Sequence, residues 1–220
     1  MIRSTRNWLA GVAVSAAAIC LPMQAMAAPA ISISNISGPT LGNGPFTLGW
    51  SFTVNSDITV TALGVFDADQ DGLAERHAVG LWSSGGTLLA STIIGAGTAD
   101  PLTAQFRYSG ITALTLTAGE TYTIGAVWNS LLDGLVYPGD ATDFSTPADI
   151  SFVETRFVEG GALADPTSNA GGTLPAYFGP NFLFDAAGTV PEPASLLLAG
   201  LAIAALLASQ ARRRSANTLR

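Results

Sequence analysis

Asp67, Asp69 and Asp71 stand at alternate positions in a short segment that continues through Gly72 to Glu75. Carboxylates at the first, third and fifth places of a loop can turn their oxygens toward one hard cation, and a glycine behind them permits the reversal that points them inward. Calcium is the ion such a set suits, with Glu75 at the ninth place as a further oxygen donor. The segment departs from a helix-flanked calcium loop at the twelfth place, where Ala78 stands instead of a bidentate glutamate. The competing reading is a solvated hairpin turn between Phe66 and Val79, because Asp-Gly is also a turn signal.

A second acidic group, Asp133, Asp140, Asp143 and Asp149, shares a stretch with Tyr137 and Phe144. Rings stack on sugar faces while acids accept hydrogen bonds from hydroxyls, so carbohydrate recognition is one reading; a solubilising acidic loop is the other. The chain has one histidine, His77, beside Arg76 at the edge of a predicted strand, where a surface or half-buried residue is expected rather than a base. No serine occupies a Gly-x-Ser-x-Gly elbow. A carboxylate pair acting on a glycosidic bond is decided by separation in space and not by counting acids. The expectation is a protein that is not an enzyme, with a calcium-dependent carbohydrate-binding module and an extracellular hydrolase as second and third readings.

The elements that must position these groups are strands. Short β-prone runs broken by Gly, Pro, Asn and Asp cover 31–36, 46–54, 58–66, 77–83, 87–94, 102–108, 111–117, 121–128, 150–157 and 181–185. Several alternate: Ile58, Val60 and Ala62 fall on one face and Thr59 and Thr61 on the other, and Ile124, Ala126 and Trp128 repeat the pattern. Such spacing predicts an all-β domain over 28–189, an antiparallel β-sandwich with jelly-roll-like connections, whose core candidates are Trp50, Phe52, Phe66, Trp82 and Trp128. Two long connections, 129–149 and 158–180, remain without predicted elements. Threonines at 59, 61, 115 and 117 follow β propensity, with no repeat that would stack them as an ice-binding face.

The 220 residues are 48% hydrophobic and 11% charged, a poor composition for a disordered chain or a coiled coil. There is no lysine, and from 28 to 190 the chain carries 11 Asp and 4 Glu against 3 Arg. A nucleic-acid partner is disfavoured, since phosphate binding needs a basic surface. The one cysteine, Cys20, lies in the first segment, so the remainder can form no disulfide.

That first segment, 1–27, has a basic start, an uncharged stretch from Trp8 to Leu21 and a small-residue exit, the three parts of a signal peptide with a signal helix. Ala25 and Ala27 offer the small side chains that signal peptidase requires, and cleavage after Ala27 makes Ala28 the first mature residue. At the other end, 190–214, Pro191-Glu192-Pro193 precedes an uncharged run of 18 residues, Ala194 to Ala211, followed by Arg212, Arg213 and Arg214. At ~1.5 Å per residue such a helix reaches about 27 Å, enough to cross a bilayer once. The arginines favour the cytoplasmic side, which leaves the chain ahead of them outside.

The succession Pro191-Glu192-Pro193, apolar span and arginine cluster closely resembles the PEP-CTERM sorting signal of Gram-negative bacteria that make extracellular polysaccharide. The resemblance implies an exosortase-type membrane protease as partner, acting near Pro191, Glu192 and Pro193 to release a protein from a transient membrane anchor. The same kind of tail is known as an ice-binding protein C-terminal domain, a label that carries no activity to this chain. Gly49 to Val54, 58–66 and Asp71 to His77 together resemble an uncharacterised β-sandwich module often found ahead of such tails. The resemblance implies an exported protein of the cell surface or the polysaccharide matrix, with a structural or adhesive role.

Overall fold

The computed structural model describes residues 27–36, 44–136, 141–169 and 178–186, together with Gly200. The predicted signal helix and the predicted membrane helix with its flanking Pro191, Glu192, Pro193 and arginines lie outside the described residues, Gly200 apart. Among the described residues no helix is long and apolar enough to cross a membrane.

The strands run β1 (Ala28–Pro29), β2 (Ser32–Ile36), β3 (Phe46–Val54), β4 (Ile58–Phe66), β5 (His77–Ser83), β6 (Leu88–Ile94), β7 (Leu102–Thr103), β8 (Phe106–Leu116), β9 (Thr121–Trp128), β10 (Ala141–Ser145), β11 (Ile150–Glu159), β12 (Ser168–Asn169) and β13 (Pro180–Ala186). They form a five-stranded sheet ordered β1-β13-β4-β8-β7, a six-stranded sheet ordered β12-β11-β3-β9-β5-β6, and a separate β10-β2 pair. The pairings are antiparallel, as between β3 and β9 or β13 and β4. Chain order and sheet order interleave, with β3 in one sheet, β4 in the other and β5 back in the first.

The two larger sheets share one buried core. Leu48, Trp50, Phe52 and Ile124 come from the six-stranded sheet, and Val60, Leu63, Phe106 and Phe182 from the five-stranded one. Trp50 stacks on Phe182 with ring centres 6.1 Å apart, and Phe52 lies 5.0 Å from the same ring. Aromatic contacts of this kind add to the area they bury, and with no cysteine beyond Cys20 burial carries the fold. Trp50, Phe52, Phe66 and Trp128 take the predicted core places. Trp82 is buried but does not join this core; its ring fills the space that a side chain at Gly80 would need.

Strands β3, β4, β5 and β9 keep the predicted bounds. The predicted pair 102–108 and 111–117 is divided differently: the chain reverses at Ala104 and Gln105, both at positive φ, and β8 then continues straight through Ser109 and Gly110. Neither long connection is free of structure. The first contains β10, and the second begins as an extension of β11 to Glu159, after which 162–166 lie against β3 and β9. There Thr47 Oγ1 bonds the Ala162 carbonyl and accepts from the Ala164 amide, while Pro166 packs where a side chain at Gly125 would otherwise stand.

Asn181, fully buried in β13, ties the first described residues to the last strand. Its Oδ1 accepts from the Ile31 amide at 3.1 Å and its Nδ2 donates to the Ile31 carbonyl at 2.8 Å. Replacement by alanine leaves both Ile31 groups buried without these partners, and is expected to cost about 1–3 kcal/mol, read as a lower denaturation midpoint.

Candidate functional site

The loop between β4 and β5 crosses from one sheet to the other, so it is not the hairpin that Asp-Gly suggested. Gly72 adopts φ 122°, a conformation only glycine accepts easily, and Leu73 beyond it pairs with Gly97 and is buried. The loop therefore has an apolar foot and an acidic crest. Asp67, Asp69 and Asp71 present oxygens within 4.8 Å of one another, as the sequence pattern required.

Glu75 does not join them. Its carboxylate falls instead into a second group with His77 and Asp133, and its Oε1 accepts a hydrogen bond from Ser130 Oγ at 2.8 Å. Asp67 is itself engaged: it is 2% exposed, its Oδ2 accepts from Arg107 Nε at 2.6 Å, and its Oδ1 accepts from the Gln70 amide. Arg107, on the buried face of β8, spends its other nitrogens on the Asp100 and Gln70 carbonyls. The guanidinium thus holds the loop from below, leaving the carboxylates of Asp69 and Asp71 facing out. Asp71 is held above the ordinary carboxylate range, first by a hydrogen bond with Asp69 and next by that neighbour's charge.

His77 is 1% exposed, not the surface or half-buried residue expected from its place beside Arg76. Burial follows from its position at the start of β5, where its ring enters beside Trp128, 5.2 Å away. Nδ1 faces the Val127 carbonyl at 2.8 Å and Nε2 faces Asp133 Oδ2 at 2.9 Å. Asp133 also accepts from the amides of Ala74 at 2.7 Å and Glu75 at 2.9 Å. Burial alone would raise its carboxyl, but the close contact with His77 Nε2 and the hydrogen bonds from those two amides outweigh it and hold Asp133 below the ordinary range.

The second acidic stretch is not one surface. Asp149 accepts from Ser56 Oγ in the turn that precedes β4, at the opposite end of that strand from the loop Asp133 clasps. Phe144 is not offered to a sugar: its ring packs on Phe152 and Phe178 at 5.7 and 5.1 Å. Tyr137 and Asp140, and the side chain of Asp143, lie outside the described residues. What does form is a cavity of about 220 Å3 between the two loops, walled by Asp67, Asp69, Asp71, Ala74, Leu132 and Asp133. Sequence reasoning grouped Asp67, Asp69 and Asp71 but did not bring Asp133 beside them, and it missed Arg107 and the buried role of His77. Arg107 carried no signal of its burial, since on an alternating strand an arginine between Phe106 and Tyr108 reads as the residue facing solvent.

Residues 37–171 match the family model described as a domain of unknown function, DUF4082, and residues 189–214 match the PEP-CTERM protein-sorting motif. No curated protein and no solved structure matches the chain. The first match spans β3 to β12 and leaves β1, β2 and β13 on either side of it.

Proposed function

Because the chain belongs to the DUF4082 family and ends in a PEP-CTERM protein-sorting motif, we propose that it is a structural or adhesive protein of the cell surface or polysaccharide matrix. The motif implies export, a membrane-anchored precursor and processing by an exosortase, a membrane protease. In our reading signal peptidase cuts after Ala27, the 194–211 helix parks the domain outside the membrane with its C-terminus in the cytoplasm, and release occurs near Pro191, Glu192 and Pro193. The interleaved strand order supports a jelly-roll-like sandwich as the exported body.

One observation carries the non-catalytic role. The polar groups nearest to any chemistry, Asp67, Arg107, His77 and Asp133, are buried and bound to one another or to backbone, an arrangement that stiffens two loops. Extracellular polysaccharide is the partner that fits the destination. The test is retention: cells lacking the protein should lose matrix cohesion, restored by the parent chain. Full recovery by a chain without the motif would remove the surface role.

The acidic cavity favours a second reading, calcium-dependent carbohydrate binding, because crowding at Asp69 and Asp71 is relieved by a divalent cation. Calcium is then expected to raise the melting temperature of the chain by several degrees, an effect lost when Asp69 and Asp71 are both changed to Asn. Equal melting curves in calcium and in chelator would dispose of this reading.

A further inference from the structure

Both ring nitrogens of His77 face acceptors. A carbonyl only accepts, so Nδ1, 2.8 Å from the Val127 oxygen, carries hydrogen. A neutral imidazole then keeps its lone pair on Nε2, which lies 2.9 Å from the Asp133 carboxylate. Two lone pairs do not rest against each other at that distance. Something positive belongs there, either a second ring proton or a metal ion.

The surroundings distinguish the two. Glu75 also converges, and one ligand atom from each of Glu75, His77 and Asp133 lies within 4.8 Å of the others. An imidazolium against two carboxylates leaves an uncompensated negative charge at a largely buried place, whereas a divalent ion with a neutral ring and two carboxylates balances. Each side chain also has the outer partner that orients a metal ligand: Val127 oxygen for His77, the Ala74 and Glu75 amides for Asp133, and Ser130 Oγ for Glu75. Asp133 lines the cavity between the loops, which gives an ion a way in.

We propose that Glu75, His77 and Asp133 form a binding site for a divalent first-row transition metal, with zinc the fitting probe. One imidazole with two carboxylates is a donor set of that class, unlike the all-oxygen set of Asp67, Asp69 and Asp71. The proposal does not depend on calcium or on the adhesive role.

The test uses the untagged full chain, stripped with chelator, titrated with zinc chloride, and assayed for bound metal after gel filtration. One zinc per chain is expected. Glu75→Gln, a half-buried change that keeps the shape, should weaken binding at least tenfold, and His77→Gln should abolish it, with circular dichroism checking that each variant folds. The double change Asp69→Asn with Asp71→Asn should bind zinc like the parent. His77 is the chain's one histidine, so 15N-histidine labelling gives a single ring to read, and zinc should shift Nε2 while Nδ1 keeps its proton. Failure of the parent to retain zinc, with both ring nitrogens protonated at pH 7, would assign the positive centre to a proton and overturn the site. Loss of zinc in the Asp69 and Asp71 variant, with retention in Glu75→Gln, would move the metal to the other loop and overturn it equally.

Discussion

Replacing Arg107 with alanine is expected to lower the unfolding free energy of the domain by about 3–5 kcal/mol, the range for breaking one side of a buried ion pair. The Arg107 and Asp67 side chains are 4% and 1% exposed, and the guanidinium also supplies the Asp100 and Gln70 carbonyls. Its loss strands a carboxylate and two carbonyls together. Much of the cost comes from the charge left behind, so adding Asp67→Asn to Arg107→Ala should recover part of the stability, although each change alone destabilises. Calcium should also protect the Arg107→Ala chain more than the parent, because the freed Asp67 oxygens face the same loop as Asp69 and Asp71. Denaturant midpoints of the four chains, with and without calcium, read all of this. An Arg107→Ala midpoint equal to the parent's would show that the pair holds nothing.

The second large effect is at the tail. Changing Glu192 to Ala while deleting Arg212 to Arg214 is expected to abolish surface delivery. On our reading of 194–211 as a span, each arginine costs ~2.5–3.5 kcal/mol at the centre of a bilayer, so three in succession would halt translocation and set its direction. Without them the span has no stop, and without Glu192 the stretch between Pro191 and Pro193 loses its one charged residue. Cell fractionation with immunoblotting should find a longer precursor inside the envelope and none at the surface or in the medium. Glu192→Ala alone should leave that precursor in the membrane fraction. Unaltered release by the combined variant would mean that sorting does not run through this motif.

The sequence displayed the strands best where alternation was undisturbed. Ile58, Val60 and Ala62 are buried and Thr59 and Thr61 half-buried, as their spacing in β4 requires. β10 was invisible because Ala141–Ser145 is a polar stretch among Gly, Pro and Asp, and its pairing with β2 is a long-range event. The break in 102–108 was hidden because neither Ala104 nor Gln105 is a residue that advertises positive φ, while Ser109-Gly110 imitates a turn and merely faces a bulge near Ala62. For the site, the acids of the 67–71 loop could be read from local spacing alone. The clasp between His77 and Asp133 could not, since the two residues lie 56 positions apart and meet only through the path of β5 and β9. Glu75 illustrates the limit: four residues from Asp71 it had to be counted with the loop, but the start of β5 turns it to the other group.

The position of β13 between β1 and β4 sets the timetable of assembly. Secretion threads a polypeptide from its N-terminus, so β1 and β4 arrive outside long before the segment that must slot between them. Until Pro180–Ala186 emerges, β4 keeps a raw edge and β1 has no place in the five-stranded layer. A transcript truncated before that segment should yield aggregation-prone debris rather than a smaller module. The sorting motif at residues 189–214 follows this keystone closely, so on our reading the membrane-anchored stage is a waiting period in which the last piece can click home before the molecule departs.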